Sequence, residues 1–396
     1  MTDEPKKQRR QPVETARPKT RAYVVHPVSR GDAAAMERAQ ARLDEAVGLA
    51  AAIELTVLGK EVVRISKLVP ATYIGKGAVL RIAEAVKANE VGLVVFDCAI
   101  SPTQQRNLEK AWSCKVIDRT ALILEIFGAR ARTSEGRLQV ELAHLSYQRS
   151  RLVRSWTHLE RQRGGLGKTG GPGEKQIELD RRMIGERVKM LRRKLGELRD
   201  RRGVQRRARA RRDVPAVSIV GYTNAGKSTL FNALTHAKGY AADRLFATLD
   251  TTTRRIWLPE AGNVTVSDTV GFVRDLPHEL VAAFRATLEE TVHADLLLHV
   301  VDAASGVRDR QMEEVGKVLA EIGADGLPQI VVWNKIDLVP GLEPGVERDE
   351  YGRIWRVRVS ARTGAGVPAL RGAIAEFAAA RAAARSPAAS ETLSIH

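Results

Sequence analysis

Apolar and polar positions in the first third of the chain alternate between strand-like runs and helix-like stretches. Residues 23–26 and 55–65 read as strands, and residues 33–50 as a helix between them. A further helix opens at Gly75-Lys76-Gly77 and runs to about Asn89, and residues 91–96 form a continuous apolar strand. Residues 103–112 are helical, 114–118 a strand and 120–130 a helix. This order predicts a small α/β domain over residues 22–132 with a parallel sheet. Tyr73-Ile74-Gly75-Lys76-Gly77 at a helix start admits an anion site, but an ordinary glycine N-terminus is the favoured reading. Residues 1–21 are polar, basic and proline-containing, and a disordered tail is expected there.

The pattern then changes to heptads. Leu138, Leu142, Leu145, Leu152, Trp156 and Leu159 keep a 4-3 spacing that Arg149 interrupts, and Ile177, Ile184, Val188, Leu191, Leu195 and Leu198 form a second seam. Two seams separated by a break predict an antiparallel coiled-coil hairpin over residues 133–212, with arms of roughly 30–40 Å. The break at residues 164–173 holds six glycines in ten positions. A plain turn between helices needs only a few residues. Gly167-Lys168-Thr169 imitates a phosphate loop, but Gln162 stands at its first glycine and basic helix precedes it. The favoured reading is a loop carried on a stiff stalk and pressed against nucleic acid. Gly164, Gly165, Gly170 and Gly171 allow close approach, and Arg161, Arg163, Lys168 and Lys175 supply phosphate contacts.

Charge sharpens that reading. The 396-residue chain carries a net +17, and residues 149–212 hold 22 Lys/Arg against 7 Asp/Glu, so +15 of the excess lies in the hairpin. Such a surplus implies a polyanionic partner. Two cysteines, Cys98 and Cys114, exclude a disulfide scaffold or a cysteine zinc site and suit a reducing cytoplasm. No apolar run is long enough to span a membrane, which leaves transient membrane association open, and a monomer is expected.

Residues 217–228 carry the chemistry. A β-branched run ends in Gly221-Tyr222-Thr223-Asn224-Ala225-Gly226-Lys227-Ser228, and a helix follows. This is the strand–glycine loop–helix context of a phosphate-binding loop. Lys227 places a point charge at the β- and γ-phosphates, and the Ser228 hydroxyl can ligate Mg²⁺. Asp268-Thr269-Val270-Gly271 follows one strand, and Asn334-Lys335-Ile336-Asp337 follows another. The Asp337 carboxylate matches guanine N1–H and its exocyclic amine, Asn334 can donate to N7, and the Lys335 stem covers the base. Ser360-Ala361-Arg362 suits the loop whose backbone N–H meets O6. Four motifs in this order predict a GTP/GDP site in a domain spanning residues 213–378, with residues 379–396 a helix end and tail.

Between the first helix of that domain and the next strand lies Leu245-Phe246-Ala247-Thr248-Leu249-Asp250, where a switch threonine belongs. Thr248 is the choice for the second Mg²⁺ ligand, with Thr251, Thr252 and Thr253 as competitors and Asp268 acting through water. Lys227, Asn224, Thr248 and Gly271 are the expected catalytic group. Phe272 stands where many GTPases place a water-orienting glutamine, so unaided hydrolysis should be slow. Asn224 either helps hold a K⁺ ion or satisfies its own loop.

Along residues 22–378 the chain resembles the HflX family of ribosome-associated GTPases. The residues that carry the resemblance are 73–77, Val116-Ile117-Asp118-Arg119-Thr120, Arg130-Ala131-Arg132-Thr133 and Gln139-Val140-Glu141-Leu142-Ala143, together with the glycine tip and the loops at 221–228 and 268–272. The resemblance implies binding to the large ribosomal subunit and its ribosomal RNA, subunit-stimulated GTP hydrolysis, and separation or rescue of stalled or idle ribosomes. Three departures stand out: Thr251 replaces the usual proline, Cys98-Ala99-Ile100 replaces a more acidic stretch, and the region after the nucleotide domain is short. The expected fold class is α/β, a P-loop G domain with a mostly parallel sheet behind a small α/β domain and a coiled-coil hairpin. Two rival functions are an ATP-driven RNA-remodelling activity in the N-terminal domain and a regulatory GTP switch for a protein partner. The first lacks a second complete phosphate loop. Salt-insensitive partner binding would favour the second.

Overall fold

The computed structural model describes residues 19–162, 172–210, 214–236, 245–246, 248–275 and 285–385. The tip residues Arg163, Gly164, Gly165, Lys168, Gly170 and Gly171, and also Ala247, lie outside them, as do the side chains of Arg161 and Lys175.

The first sheet has the order β2-β1-β3-β4, formed by β1 (Arg21–Ser29), β2 (Thr56–Ile65), β3 (Leu93–Phe96) and β4 (Lys115–Asp118). Every pairing in it is parallel. The strand β1 begins at Arg21, one residue inside the stretch expected to be tail. Its register against β2 shifts at Ala22/Tyr23, and the Tyr23 ring lies where a side chain on Gly59 would stand. Helices α1 (Ala33–Ala52), α2 (Lys76–Ala88), α3 (Pro102–Trp112) and α4 (Arg119–Arg130) cross between strands. The α3 start is a reciprocal capping box between Ser101 and Gln104, with proline in the first turn.

Helices α5 (Ser134–Gln162) and α6 (Pro172–Ala210) form the arm. Their 29 and 39 residues correspond to about 43 and 58 Å, longer than the heptads alone predicted, because both helices continue past their apolar seams. Arg187 of α6 bonds Glu141, and Arg202, further along α6, bonds the earlier Glu135, so the helices run antiparallel. The inner seam residues Leu142, Val188, Leu191 and Leu195 are buried, while the interrupting Arg149 is exposed.

The second sheet has the order β10-β11-β9-β8-β5-β7-β6. Its strands are β5 (Ala216–Gly221), β6 (Thr252–Leu258), β7 (Gly262–Asp268), β8 (Leu296–Asp302), β9 (Gln329–Asn334), β10 (Gly345–Arg348) and β11 (Ile354–Arg358). The two outer strands, β6 and β10, run antiparallel to their neighbours and the rest are parallel. Helices α7 (Lys227–Thr235), α8 (Arg285–Val292), α9 (Arg308–Ile322) and α10 (Val367–Arg385) pack against it.

One apolar cluster joins all three parts. It contains Leu49 and Phe127 of the first domain, Val140, Leu191 and Leu195 of the arm, and Val220, Phe246, Phe272 and Leu297 of the second domain. A shared core of this kind resists relative motion far better than a polar domain contact. The root of the arm is therefore part of the nucleotide domain's own packing. Among the described residues, no helix is long and apolar enough to cross a membrane.

Candidate functional site

The strand β5 ends in a loop whose conformation only glycine tolerates at two points. Gly221 has φ +149 and would drive a side chain into the Val300 carbonyl; Gly226 has φ +92 and would meet the Asn334 amide. The loop closes on the segment after β7: Phe272 N–H donates to the Gly221 carbonyl at 3.1 Å, and Thr223 N–H to the Phe272 carbonyl at 2.7 Å. Gly271 completes the approach, since a Cβ there would stand 2.9 Å from Lys227 Nζ.

A cavity of about 500 Å³ opens over this loop. It is lined by Thr223, Asn224, Gly226, Lys227 and Ser228, by Phe246 and Thr248, by Thr269 and Gly271, and by Asn334, Lys335, Asp337, Ala361 and Arg362. Thr229 and Leu338 also line it. Sequence reasoning did not select these two, although each directly follows a motif that it did select.

Lys227 is buried, and its ammonium donates to the Tyr222 carbonyl at 2.8 Å. Burial pulls its pKa down to about 8, with Asp268 working in the opposite direction. Burial likewise raises the Asp268 carboxyl, against hydrogen bonds from Ser228 and Thr248 and the charge of Lys227. Beneath the loop, burial and the Lys227 charge lower His299 to about 4.

The expected metal ligands converge. Thr248 Oγ1 lies 2.6 Å from Ser228 Oγ and donates to Asp268 Oδ2 at 2.8 Å. The other carboxylate oxygen, Asp268 Oδ1, is buried without a hydrogen-bond partner. Two hydroxyls and a carboxylate with an orphaned oxygen are the hard-oxygen set that suits Mg²⁺. Of the competing threonines, Thr253 is turned to Ser267, at 2.9 Å, within the β6–β7 ladder.

Several of the expected site residues also make contacts within the protein. Asn334, the residue expected to donate to guanine N7, also donates through Nδ2 to the Ala225 carbonyl and accepts at Oδ1 from Ala361 N–H, both at 2.9 Å. It therefore ties the phosphate loop to the last guanine loop. The Lys335 ammonium pairs with Asp302 at 2.8 Å. Ile336 and Ser360 are buried and support the guanine loops from behind, as do Gly221, Ala225 and Val270 around the phosphates. Leu249 is packed in the shared apolar core. Asp250 accepts from the backbone N–H groups of Arg132 and Thr133, so its carboxylate belongs to the arm junction.

Tyr222 and Phe272 show what local sequence could not. Phe272 is only 1% exposed and sits in the three-part core. The Tyr222 hydroxyl donates to Glu45 at 2.8 Å and accepts from Arg274 N–H at 3.0 Å. Burial and Glu45 together raise its pKa. Arg274 also bonds Glu45 at 2.7 Å and Asp97 at 2.6 Å. Asp97 in turn holds Arg119 at 2.7 Å and His26 at 2.8 Å. This chain of charges joins the carboxyl ends of β1, β3 and β4 to the segment following Asp268.

Fold and site define a P-loop guanine-nucleotide-binding domain attached to an α/β domain and a basic arm. Three family models match in succession: GTP-binding GTPase N-terminal at residues 40–128, GTP-binding GTPase Middle Region at 130–209, and 50S ribosome-binding GTPase at 216–335. GTPase HflX of Escherichia coli (strain K12) is 54% identical over 307 residues, covering 78% of this chain and 72% of that protein. GTPase HflX of Magnetococcus marinus is 53% identical over 333 residues, 84% of this chain and 76% of that protein. A GTP-binding protein from the archaeon Sulfolobus solfataricus, solved with GDP, is 22% identical with a TM-score of 0.47, covering 91% of this chain and 99% of that one. The chain belongs to the HflX family of GTPases.

Proposed function

We propose that this GTPase docks on the large ribosomal subunit through its basic arm and couples GTP binding and hydrolysis to ribosome dissociation or to rescue of stalled or idle ribosomes. The observation that carries this reading is the apolar core shared by the root of the arm, the phosphate loop and the switch segment. A probe for RNA and a nucleotide site packed into one core can respond to each other. The family model named 50S ribosome-binding GTPase supports the choice of partner. Along the arm, Arg161, Arg163, Lys168 and Lys175 hold ribosomal RNA phosphates, and Gly164, Gly165, Gly170 and Gly171 let the tip approach closely. The protein acts as a monomer in the cytoplasm.

In the nucleotide site, Lys227 and the backbone N–H groups of residues 223–228 bind the phosphates. Asp337 selects guanine, and Arg362 borders O6. Ser228 and Thr248, with Asp268 acting through water, would hold Mg²⁺, which would supply charge neutralisation at the phosphates. Phe272 cannot orient water, so intrinsic turnover is slow and the ribosome supplies what is missing. Asn224 helps hold K⁺ beside the phosphates; its exposure and its φ of +60 support that role. Exchange of K⁺ for Na⁺ should then slow hydrolysis, and equal rates in both salts would remove that role.

The test is GTP turnover by the full chain alone, with purified large subunits and with purified small subunits. Stimulation confined to large subunits, with ribosomes separating in sedimentation profiles, is expected. Equal turnover in all three mixtures would overturn the reading.

A further inference from the structure

The segment carrying Thr248 is held from outside the nucleotide domain at four points. Leu245 lies against α1 so closely that a Cβ on Gly48 would stand 3.1 Å from its Cδ1. The Phe246 ring packs edge-on against Phe127 of α4, centroids 4.9 Å apart, while its N–H donates to Thr223 Oγ1 in the phosphate loop at 3.0 Å. Its backbone has φ +54, a conformation a bulky residue adopts only when its surroundings dictate it. Leu249 is buried in the core that also contains Val140 and Leu142 of the arm.

The fourth point is Asp250. Its Oδ2 accepts from Arg132 N–H at 2.9 Å and from Thr133 N–H at 3.0 Å, and its Oδ1 accepts from the Thr133 hydroxyl. Thr133 Oγ1 in turn accepts from Gly136 N–H at 2.9 Å, which caps the first turn of α5. Gly136 leaves room for this arrangement: a Cβ there would collide with the Asp250 carboxylate and stand 3.2 Å from Thr133 Oγ1. A carboxylate from the nucleotide domain therefore completes the N-terminus of the arm's first helix, where both the free N–H groups and the helix dipole favour a negative charge. Thr248 is only two residues away, a span of about 7 Å at full extension. The root of α5 cannot shift without moving Thr248 or breaking this cap.

We propose that Asp250 is a positioning residue that yokes Thr248 to the root of the arm, so that docking of the arm sets the threonine's place beside Ser228 and Asp268. The proposal rests on the reading of Thr248 as a metal and γ-phosphate ligand. In this arrangement the arm speaks to the γ-phosphate through one carboxylate, with no need for the base or the α-phosphate to change position. Variants of the cap should therefore act on GTP and spare GDP.

The test uses the full chain with Asp250→Ala, Thr133→Val, Thr133→Ser, Gly136→Ala and Thr248→Ala. Each is measured for affinity to a non-hydrolysable GTP analogue and to GDP, for the Mg²⁺ concentration giving half-maximal turnover, and for kcat and KM with large subunits. Thr133→Val and Gly136→Ala should keep GDP affinity within about twofold while the GTP-analogue affinity falls and the Mg²⁺ requirement rises. Stimulated kcat should drop about 10- to 100-fold with Asp250→Ala, the cost of an ångström-scale misplacement, with KM little changed. Thr133→Ser, which keeps the hydroxyl, should behave as the parent. Should Gly136→Ala melt early, Thr133→Val makes the same cut without adding bulk. If Thr248→Ala impairs turnover while Asp250→Ala, Thr133→Val and Gly136→Ala match the parent, the yoke is refuted and the Thr248 assignment survives. If Thr248→Ala itself changes nothing, the underlying assignment fails. Equal losses of GDP and GTP-analogue affinity in Asp250→Ala would place its carboxylate in the pocket and overturn the proposal.

Discussion

The molecule contains two mostly parallel sheets, and each presents the carboxyl ends of its strands to a charged cavity. The cavities are of similar size, about 500 Å³ over the phosphate loop and about 470 Å³ beside His26, Asp97, Asp118, Arg119, Arg151 and Arg274. They differ in how far their charges are paired. Beside the first sheet the acids and arginines pair: Asp97 holds Arg119 and Arg274, Glu45 holds the same two arginines, and Asp118 holds Arg151. Burial still raises the Asp118 carboxyl, and His26 Nε2 and Arg119 Nε are left without hydrogen-bond partners. Burial would raise Asp97, but His26, Arg119 and Arg274 outweigh it and hold its carboxyl at about 2. Burial opposes charge on Arg274 as well, and Asp97 and Glu45 more than offset it, raising its pKa.

Over the second sheet the charges are left wanting. Lys227 is bonded to a carbonyl dipole and pulled down to about 8, and Asp268 is raised with one oxygen orphaned. A parallel sheet's edge collects polar groups by topology. It becomes a site for a charged ligand where those groups remain under-compensated, and a rigid joint where they compensate one another. The joint here links the two domains at Arg274, five residues from Thr269.

Breaking the joint should cost most. Arg274→Ala leaves the buried Asp97 and the half-buried Glu45 with one partner fewer each, and a loss of about 3–5 kcal/mol is expected in denaturant unfolding. A loss below about 1 kcal/mol would mean the cluster is not a joint. Emptying the site should leave the fold and remove the chemistry: Lys227→Ala should lower GTP turnover by about 10²–10³-fold. Its melting temperature without nucleotide should not fall, because the lost group is a buried cation whose charged form burial already disfavours. A large drop in melting temperature would assign Lys227 to the fold.

Acid sharpens the contrast next. The folded-state pKa of Asp97 lies below the usual carboxylate value of about 3.9, so its contribution is fully present above that pH and is lost as pH falls through about 2. That contribution is about 2–3 kcal/mol. Asp97→Asn should flatten the stability profile between about pH 4 and 2, and an unchanged slope would remove Asp97 from the account. The smallest effect concerns the site. Lys227 is depressed to about 8 when no phosphate faces it, and bound phosphates should raise it again. Nucleotide binding above pH 8 then takes up a proton, and affinity falls by up to about tenfold per pH unit. Titration calorimetry at pH 9 in buffers of different ionisation enthalpy should register that uptake.

Much of this molecule was legible along the chain, because its recurring patterns are local. Gly221-x-x-x-x-Gly226-Lys227-Ser228 needs only a strand before it and a helix after it, and both are present. The heptads that predicted a hairpin pack as an antiparallel pair at its root, where Glu141 and Glu135 meet Arg187 and Arg202. Thr248 was selected from position alone, and the structure brings it to Ser228 and Asp268. What escaped were contacts whose partners lie far apart in sequence. Glu45 and Arg274 are separated by 229 residues, Asp250 and Thr133 by 117. A lone Glu45 or Gly136 carries no signal of its own.

Composition, periodicity and motif spacing by themselves determined the class of fold, the nucleotide and the concentration of positive charge in the arm. These depend on each residue's own chemistry and on repeats shorter than a few helical turns. Only tertiary packing decided that Tyr222 and Phe272 face a domain joint, that Asn334 braces the phosphate loop, and that Asp250 caps the arm. Those roles exist only once a single core brings β5, α1, α4 and α5 together, because a buried polar or charged group takes whatever partner the packing sets beside it.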